Sequence, residues 1–171
     1  KRETNEGVVC INIENDFATI IEINTETDFV AKNSDFLKFV RKLNKLTEAT
    51  SLIDNLKSLK DEDETPIKDL LTNLISKVGE NIVISKFSRI YCEEKTKIFG
   101  YVHNRYEENI GKIACLLKIK SEFFDDELND LAKNICMHIA ATKPIAIDIS
   151  DLDKDIINNE KSILLDNIKS S

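Results

Sequence analysis

Apolar and polar residues alternate over residues 7–14, "GVVCINIE", which puts Val9, Ile11 and Ile13 on one face. Residues 17–24, "FATIIEIN", repeat the period with Phe17, Thr19, Ile21 and Ile23. Asn15-Asp16 between them tolerates positive φ, so the two runs predict an antiparallel hairpin with a tight turn. The period then becomes helical, with Phe36, Leu37, Val40 and Leu43 recurring among Lys and Asn. Thr25 and Asp28 have capping-box spacing, and Thr27 is the alternative cap. Asn33-Ser34-Asp35 is a second start signal. The pattern predicts a short helical turn, a break, and a main helix from about Asp35 to Thr47.

The charged, aperiodic run "KDEDET" at 60–65 ends at Pro66, which suits the first turn of a helix. That helix carries Ile67, Leu70, Leu71, Leu74, Ile75 and Val78 inward and stops at Gly79, a fitting left-handed C-cap. Residues 81–92 alternate and predict a strand, completing β-β-α-α-β over 7–94. Two more strands follow at 97–103 and 111–119, joined by a polar linker, "NRYEEN". A helix over 125–142 points Leu128, Leu131, Ala132, Ile135 and Ile139 to one side, and Pro144 lies beyond it. Ser150 and Asp151 cap a final helix holding Leu152, Ile156, Ile157, Ile163 and Leu164.

The order β-β-α thus occurs twice. It predicts an α+β protein of two small repeated subdomains, 1–94 and 95–171, each an antiparallel sheet packed with helices. The second has no closing strand, which predicts an exposed sheet edge.

Composition narrows the function classes. The chain of 171 residues is 42% hydrophobic and 32% charged, which is globular rather than disordered. No apolar run reaches membrane-spanning length. The net charge of −7 argues against a phosphate-backbone binder, so no direct nucleic-acid or membrane partner is expected. Lys1 is not an initiator Met and no signal-like segment opens the chain, so it reads as a fragment or a processed form. Lys outnumbers Arg, and Ile and Asn are abundant, the drift of an AT-rich genome.

Chemistry-bearing motifs are sparse. The four cysteines, Cys10, Cys92, Cys115 and Cys136, lie far apart in apolar contexts and read as buried reduced thiols, with no zinc site. There are two histidines. His103 ends a strand near a sheet rim, and His138 reads as a packed helix residue. No phosphate-cradling glycine loop, nucleophile elbow or metalloprotease motif is present. Catalytic residues, metal and cofactors are therefore all expected to be absent. Phe29 carries two readings. Continued helical phase with Phe36 would make it core. A break at Asn33 would leave it projecting beside Asp28, as an apolar anchor for a partner.

At this point "EINTETDFVAKNSDF" resembles the signature of the elongation factor Ts family, nucleotide exchange factors of bacterial-type translation. Further segments follow in the family's order: "NEGVVCINIENDFATIIEIN", "KVGENIVI", "GYVHN", "IGKIACLLKI" and "HIAATKPIAI". The resemblance spans about residues 5–150. It implies two similar α+β subdomains and a partner, the GTPase elongation factor Tu in its GDP-bound form. It implies that Asp28 and Phe29 insert near the magnesium and phosphate site of that GTPase, within the partner-binding stretch Thr27–Val30. Val78, Gly79 and His103 are implied to touch the same partner. An exchange factor needs no covalent chemistry, so the resemblance also implies that the chain is not an enzyme.

Several features depart from the family. Set against the family, the sequence as given is expected to lack the small N-terminal helical domain before Lys1, and the coiled-coil insertion and final strand of many members after Ser171. "NRYEENIG" replaces a shorter glycine-containing turn beside His103. Weaker binding than that of a complete factor is expected. The drifted composition favours an organellar protein, plastid-like or mitochondrial, with bacterial cytoplasm as the alternative. The rival function is a dimerising scaffold, a homodimer that keeps the fold without exchange.

Overall fold

A computed structural model, describing residues 2–169, forms the first hairpin from β1 (Glu6–Ile13) and β2 (Phe17–Thr25). Their register runs from Glu6↔Thr25 to Ile13↔Ala18. The Glu14 amide donates to the Phe17 carbonyl at 2.8 Å, closing the turn around Asn15-Asp16. β3 (Ile82–Tyr91) pairs with β2, with a register shift between Glu22 and Ile23. β4 (Thr96–Glu107) and β5 (Ile110–Lys120) form the second hairpin.

The expected α+β class holds. Where the sequence suggested a separate sheet for each half, the structure has one antiparallel sheet, ordered β3-β2-β1-β5-β4. The seam between its two parts is short, Val9↔Gly111 and Cys10↔Ile110.

Helices cover the sheet: α1 (Asp28–Ala31), α2 (Ser34–Leu46), α3 (Ile53–Ser58), α4 (Ile67–Val78) and α5 (Asp126–Thr142). The larger core joins Val8, Cys10, Ile21 and Ile23 of the sheet to Phe36, Phe39, Val40 and Leu43 of α2 and Leu74 of α4. On β1 the face turned to these helices is that of Val8 and Cys10, and Val9, Ile11 and Ile13 share the opposite face. Ile11 is nevertheless only 4% exposed. β1 therefore has buried residues on both faces, so alternation alone could not tell which one meets the helices. The second hairpin supplies the other cover. A Cβ on Gly100 would lie 2.6 Å from Ile13 Cδ1 and 2.8 Å from Ile11 Cδ1, so with glycine there β4 packs directly on the tips of these two side chains.

The smaller core holds Phe99, Cys115, Ala132 and Cys136, with Tyr101, Leu117, Phe124 and Ile139 packed around it. α5 turns Ala132, Cys136 and Ala140 inward. This small-residue stripe at i, i+4 spacing lets the helix sit close to the hairpin. Leu131, expected inward, lies one position off the stripe and is half-exposed, and His138, expected to be packed, lies on the exposed side of the helix.

The expected linker after His103 is strand. β4 continues to Glu107 through a left-handed Asn104 (φ 50) and a register shift between Arg105 and Glu107. Tyr106 packs on the larger core, and the Ile11 amide donates to the Asn109 carbonyl at 3.0 Å. Polar composition hid a strand that one aromatic and a bulge hold in place.

The charged 60–65 loop is built around Asp61. Its carboxylate accepts from the Asp63 and Thr65 amides, each at 3.0 Å, and from Lys42 Nζ at 2.5 Å.

The segment from 141 to 169 forms a second unit. Asp148 caps a 3-10 turn over Ile149–Asp151, and α6 spans Lys154–Lys169. The expected caps, Ser150 and Asp151, lie inside that turn. At the start of α6 it is Asp153 that accepts from the Asp155 amide. No residue of α6 is buried within the unit.

Candidate partner-binding surface

α1 has four residues, far too few to be stable as an isolated helix. Burial holds it from beneath, because Val30 is 7% exposed, Ala31 is 0% exposed, and both sit in the larger core. Side-chain bonds hold its start. The Thr27 amide donates to Glu80 Oε2 at 3.0 Å and the Thr27 hydroxyl to Glu80 Oε1 at 2.6 Å. The Thr25 hydroxyl donates to the Thr27 carbonyl at 2.7 Å. Thr27 is the N-cap residue, but its side chain serves Glu80 instead of capping, and no Thr25–Asp28 capping box forms. The chain turns again at Asn33, whose Oδ1 accepts from the Asp35 amide at 2.8 Å and starts α2.

This break settles the phase of Phe29. With Val30 and Ala31 inward, Phe29 turns outward and is 82% exposed. Phe36, one heptad later and beyond the break, is 0% exposed. Asp28 stands beside Phe29 with its carboxylate 2.6 Å from Lys32 Nζ. That hydrogen bond holds the Asp28 carboxyl below its usual range, and the nearby Lys112 ammonium adds to the effect. Lys112 itself pairs with Glu6. The surface therefore offers an exposed phenyl ring beside a carboxylate that stays ionised.

α4 ends next to this turn. Gly79 is left-handed (φ 76) and its amide donates to the Ile75 carbonyl at 2.9 Å. Val78 is half-buried and Gly79 is exposed. Glu26 Oε1 accepts from the Asn81 amide at 2.6 Å, and Arg2 spans Glu26 and the Gly79 carbonyl, each at 3.3 Å. Thr27, Asp28, Phe29, Val78 and Gly79 are thus brought together. Val30 lies beneath them, in the core. His103 is exposed on β4, with Nδ1 3.2 Å from the Tyr101 hydroxyl.

Sequence reading missed Glu26, Glu80 and Lys112. Glu80 meets Thr27 across 53 residues, and no local period announces such a pair. The one local hint was a threonine at a helix start with no glutamate or glutamine at the capping-box position.

Among the described residues, no group of three or more His, Cys, Asp or Glu side chains is arranged to hold a metal. No helix among them is long and apolar enough to cross a membrane. What the surface can do is recognise another molecule, through one apolar anchor, one carboxylate and an exposed helix end.

Comparison with known proteins adds the family. A family model described as Elongation factor TS matches residues 26–171. The elongation factor Ts of Ehrlichia canis is 34% identical over 165 residues, covering 95% of this chain and 57% of the relative. That of Paracoccus denitrificans is 35% identical over 167 residues, covering 97% of this chain and 54% of the relative. That of Methylorubrum populi is 36% identical over 162 residues, covering 93% and 52%. The chain spans about half the length of these curated relatives.

Proposed function

Since the chain belongs to the elongation factor Ts family, we propose that it binds the GTPase elongation factor Tu and speeds release of its GDP. The observation that carries this reading is Phe29, a large apolar side chain left 82% exposed on a turn that buried residues and hydrogen bonds hold in place. Phe29 and Asp28 enter the partner near its magnesium and phosphate site and displace the elements that grip the nucleotide. Gly79 and the edge of Val78 extend the contact, and Thr27 and Val30 hold the turn from above and below. His103 makes a separate contact from the second hairpin.

The energetics require no bond making. If the factor and GDP each weaken the other's binding to the GTPase, linkage makes the two effects equal, and tight docking of Phe29 drives nucleotide off. The Asp28 carboxylate stays charged through neutral pH and repels phosphate oxygens or competes for their partners. In this reading the chain is an exchange factor rather than a catalyst of covalent change.

The test is release of fluorescent GDP from elongation factor Tu with and without the chain. Faster release at rising concentration is expected, and an unchanged rate at saturating chain would overturn the proposal.

The rival scaffold reading draws on the outer edges of β3 and β4, the end strands of the sheet. A concentration-dependent dimer with no effect on GDP release would favour it. Organellar location, plastid-like or mitochondrial, is also part of the proposal and rests on the AT-biased composition. The relatives compared are bacterial. Imaging a fluorescent fusion of the whole gene product against organelle markers tests it.

A further inference from the structure

Two loops far apart in sequence hold one another by the same device. Glu80, following α4, accepts from the Thr27 amide and hydroxyl at 3.0 and 2.6 Å. Glu26, preceding α1, accepts from the Asn81 amide at 2.6 Å. Each loop thus gives a carboxylate to the other's backbone. Thr27 is fixed at every polar group, because its carbonyl also accepts from the Thr25 hydroxyl and the Ala31 amide. Both oxygens of Glu80 are used on this one residue.

Bonds to an ionised carboxylate are stronger than neutral ones, and they act here on a helix too short to hold itself. We propose that Glu80 is a positioning residue. It keeps Phe29 turned outward and locks the Thr27–Val30 turn to the Val78–Gly79 corner, so the two reach the partner as one preformed face. Without it the turn must be ordered during docking, which slows productive association. The inference rests on the reading of Phe29 as the exchange wedge.

The test measures GDP release from elongation factor Tu by the parent chain, Glu80→Ala, Glu80→Gln, Phe29→Ala and the double variant Phe29→Ala/Glu80→Ala. Circular dichroism checks that each is folded. Glu80→Ala is expected to slow release roughly tenfold. Glu80→Gln should recover most of the rate, because its amide oxygen still accepts and its NH2 can donate to the Thr27 hydroxyl. The double variant should be no slower than Phe29→Ala alone.

Parent-like release by Glu80→Ala, with Phe29→Ala slow, overturns the positioning role and leaves the wedge standing. Parent-like release by Phe29→Ala overturns the wedge reading instead. A second readout needs no GTPase: the fluorine NMR line of 4-fluorophenylalanine placed at position 29. Glu80→Ala should shift or broaden that line and Glu80→Gln should restore it, whereas an unmoved line refutes positioning.

Discussion

Phe29 and Phe36 lie one heptad apart and differ in one measurable respect, so truncating each to alanine separates surface from core. Phe36 is 0% exposed among Val40, Leu43, Ile21 and Ile23. Phe36→Ala loses its transfer free energy and leaves a cavity, together about 3–5 kcal/mol. Phe29 is 82% exposed, so less than a fifth of its surface is covered. Scaling the ~1.5–3 kcal/mol of a fully buried phenyl by that fraction leaves about 0.5 kcal/mol or less. The better helix propensity of alanine offsets a few tenths of that. Urea unfolding followed by circular dichroism reads both variants. With a slope of about 2 kcal/mol per molar, Phe36→Ala should lower the midpoint by about 2 M and Phe29→Ala by under about 0.3 M. Equal shifts would place Phe29 in the core and refute the break of phase at Asn33.

Three further outcomes follow from the same packing and electrostatics. Asp61 is held below its usual carboxyl range, chiefly by Lys42 and next by the Thr65 amide, so it stabilises the fold above its unfolded pKa. That stability is lost as pH falls through the lowered folded value. Asp61→Asn should therefore lower the urea midpoint at pH 7 and flatten its fall into acid, and an unchanged acid profile would contradict this. Burial, helped by the Glu107 charge, pushes the Cys10 thiol up to about 12, whereas Cys92 is half-exposed. Alkylation at pH 8, read by mass spectrometry, should modify Cys92 well before Cys10, and Cys10 only on unfolding. Gly100→Ala should cost about 1–3 kcal/mol in urea unfolding, because its Cβ meets the Cδ1 tips of Ile11 and Ile13, and a neutral result would show that those tips turn aside without loss of packing.

The hairpin turn at Asn15-Asp16, the Asn33 start signal and the Gly79 stop were legible because each is a local backbone requirement. Asn33 mattered most, since its cap shifts Phe36 out of phase with Phe29 and decides which ring is buried. Long-range facts were not legible. The inner face of β1 depended on what covers each side, and both faces carry buried residues. On α5 the stripe of Ala132, Cys136 and Ala140 displaced Leu131, because closeness to the hairpin outweighed side-chain size. The extension of β4 rested on a bulge at Asn104–Glu107 that polar composition concealed. At the site, Asp28 and Phe29 stood out in the sequence, whereas the glutamates that fix them, Glu26 and Glu80, bond to residues more than fifty positions away.

The most direct test of the exchange reading is the rate of GDP release from elongation factor Tu with the parent chain and with Phe29→Ala at equal, saturating concentrations. The account expects rapid release with the parent, and release near the spontaneous rate with a Phe29→Ala chain whose urea midpoint falls by under about 0.3 M. Equal rates for the two folded proteins would contradict it.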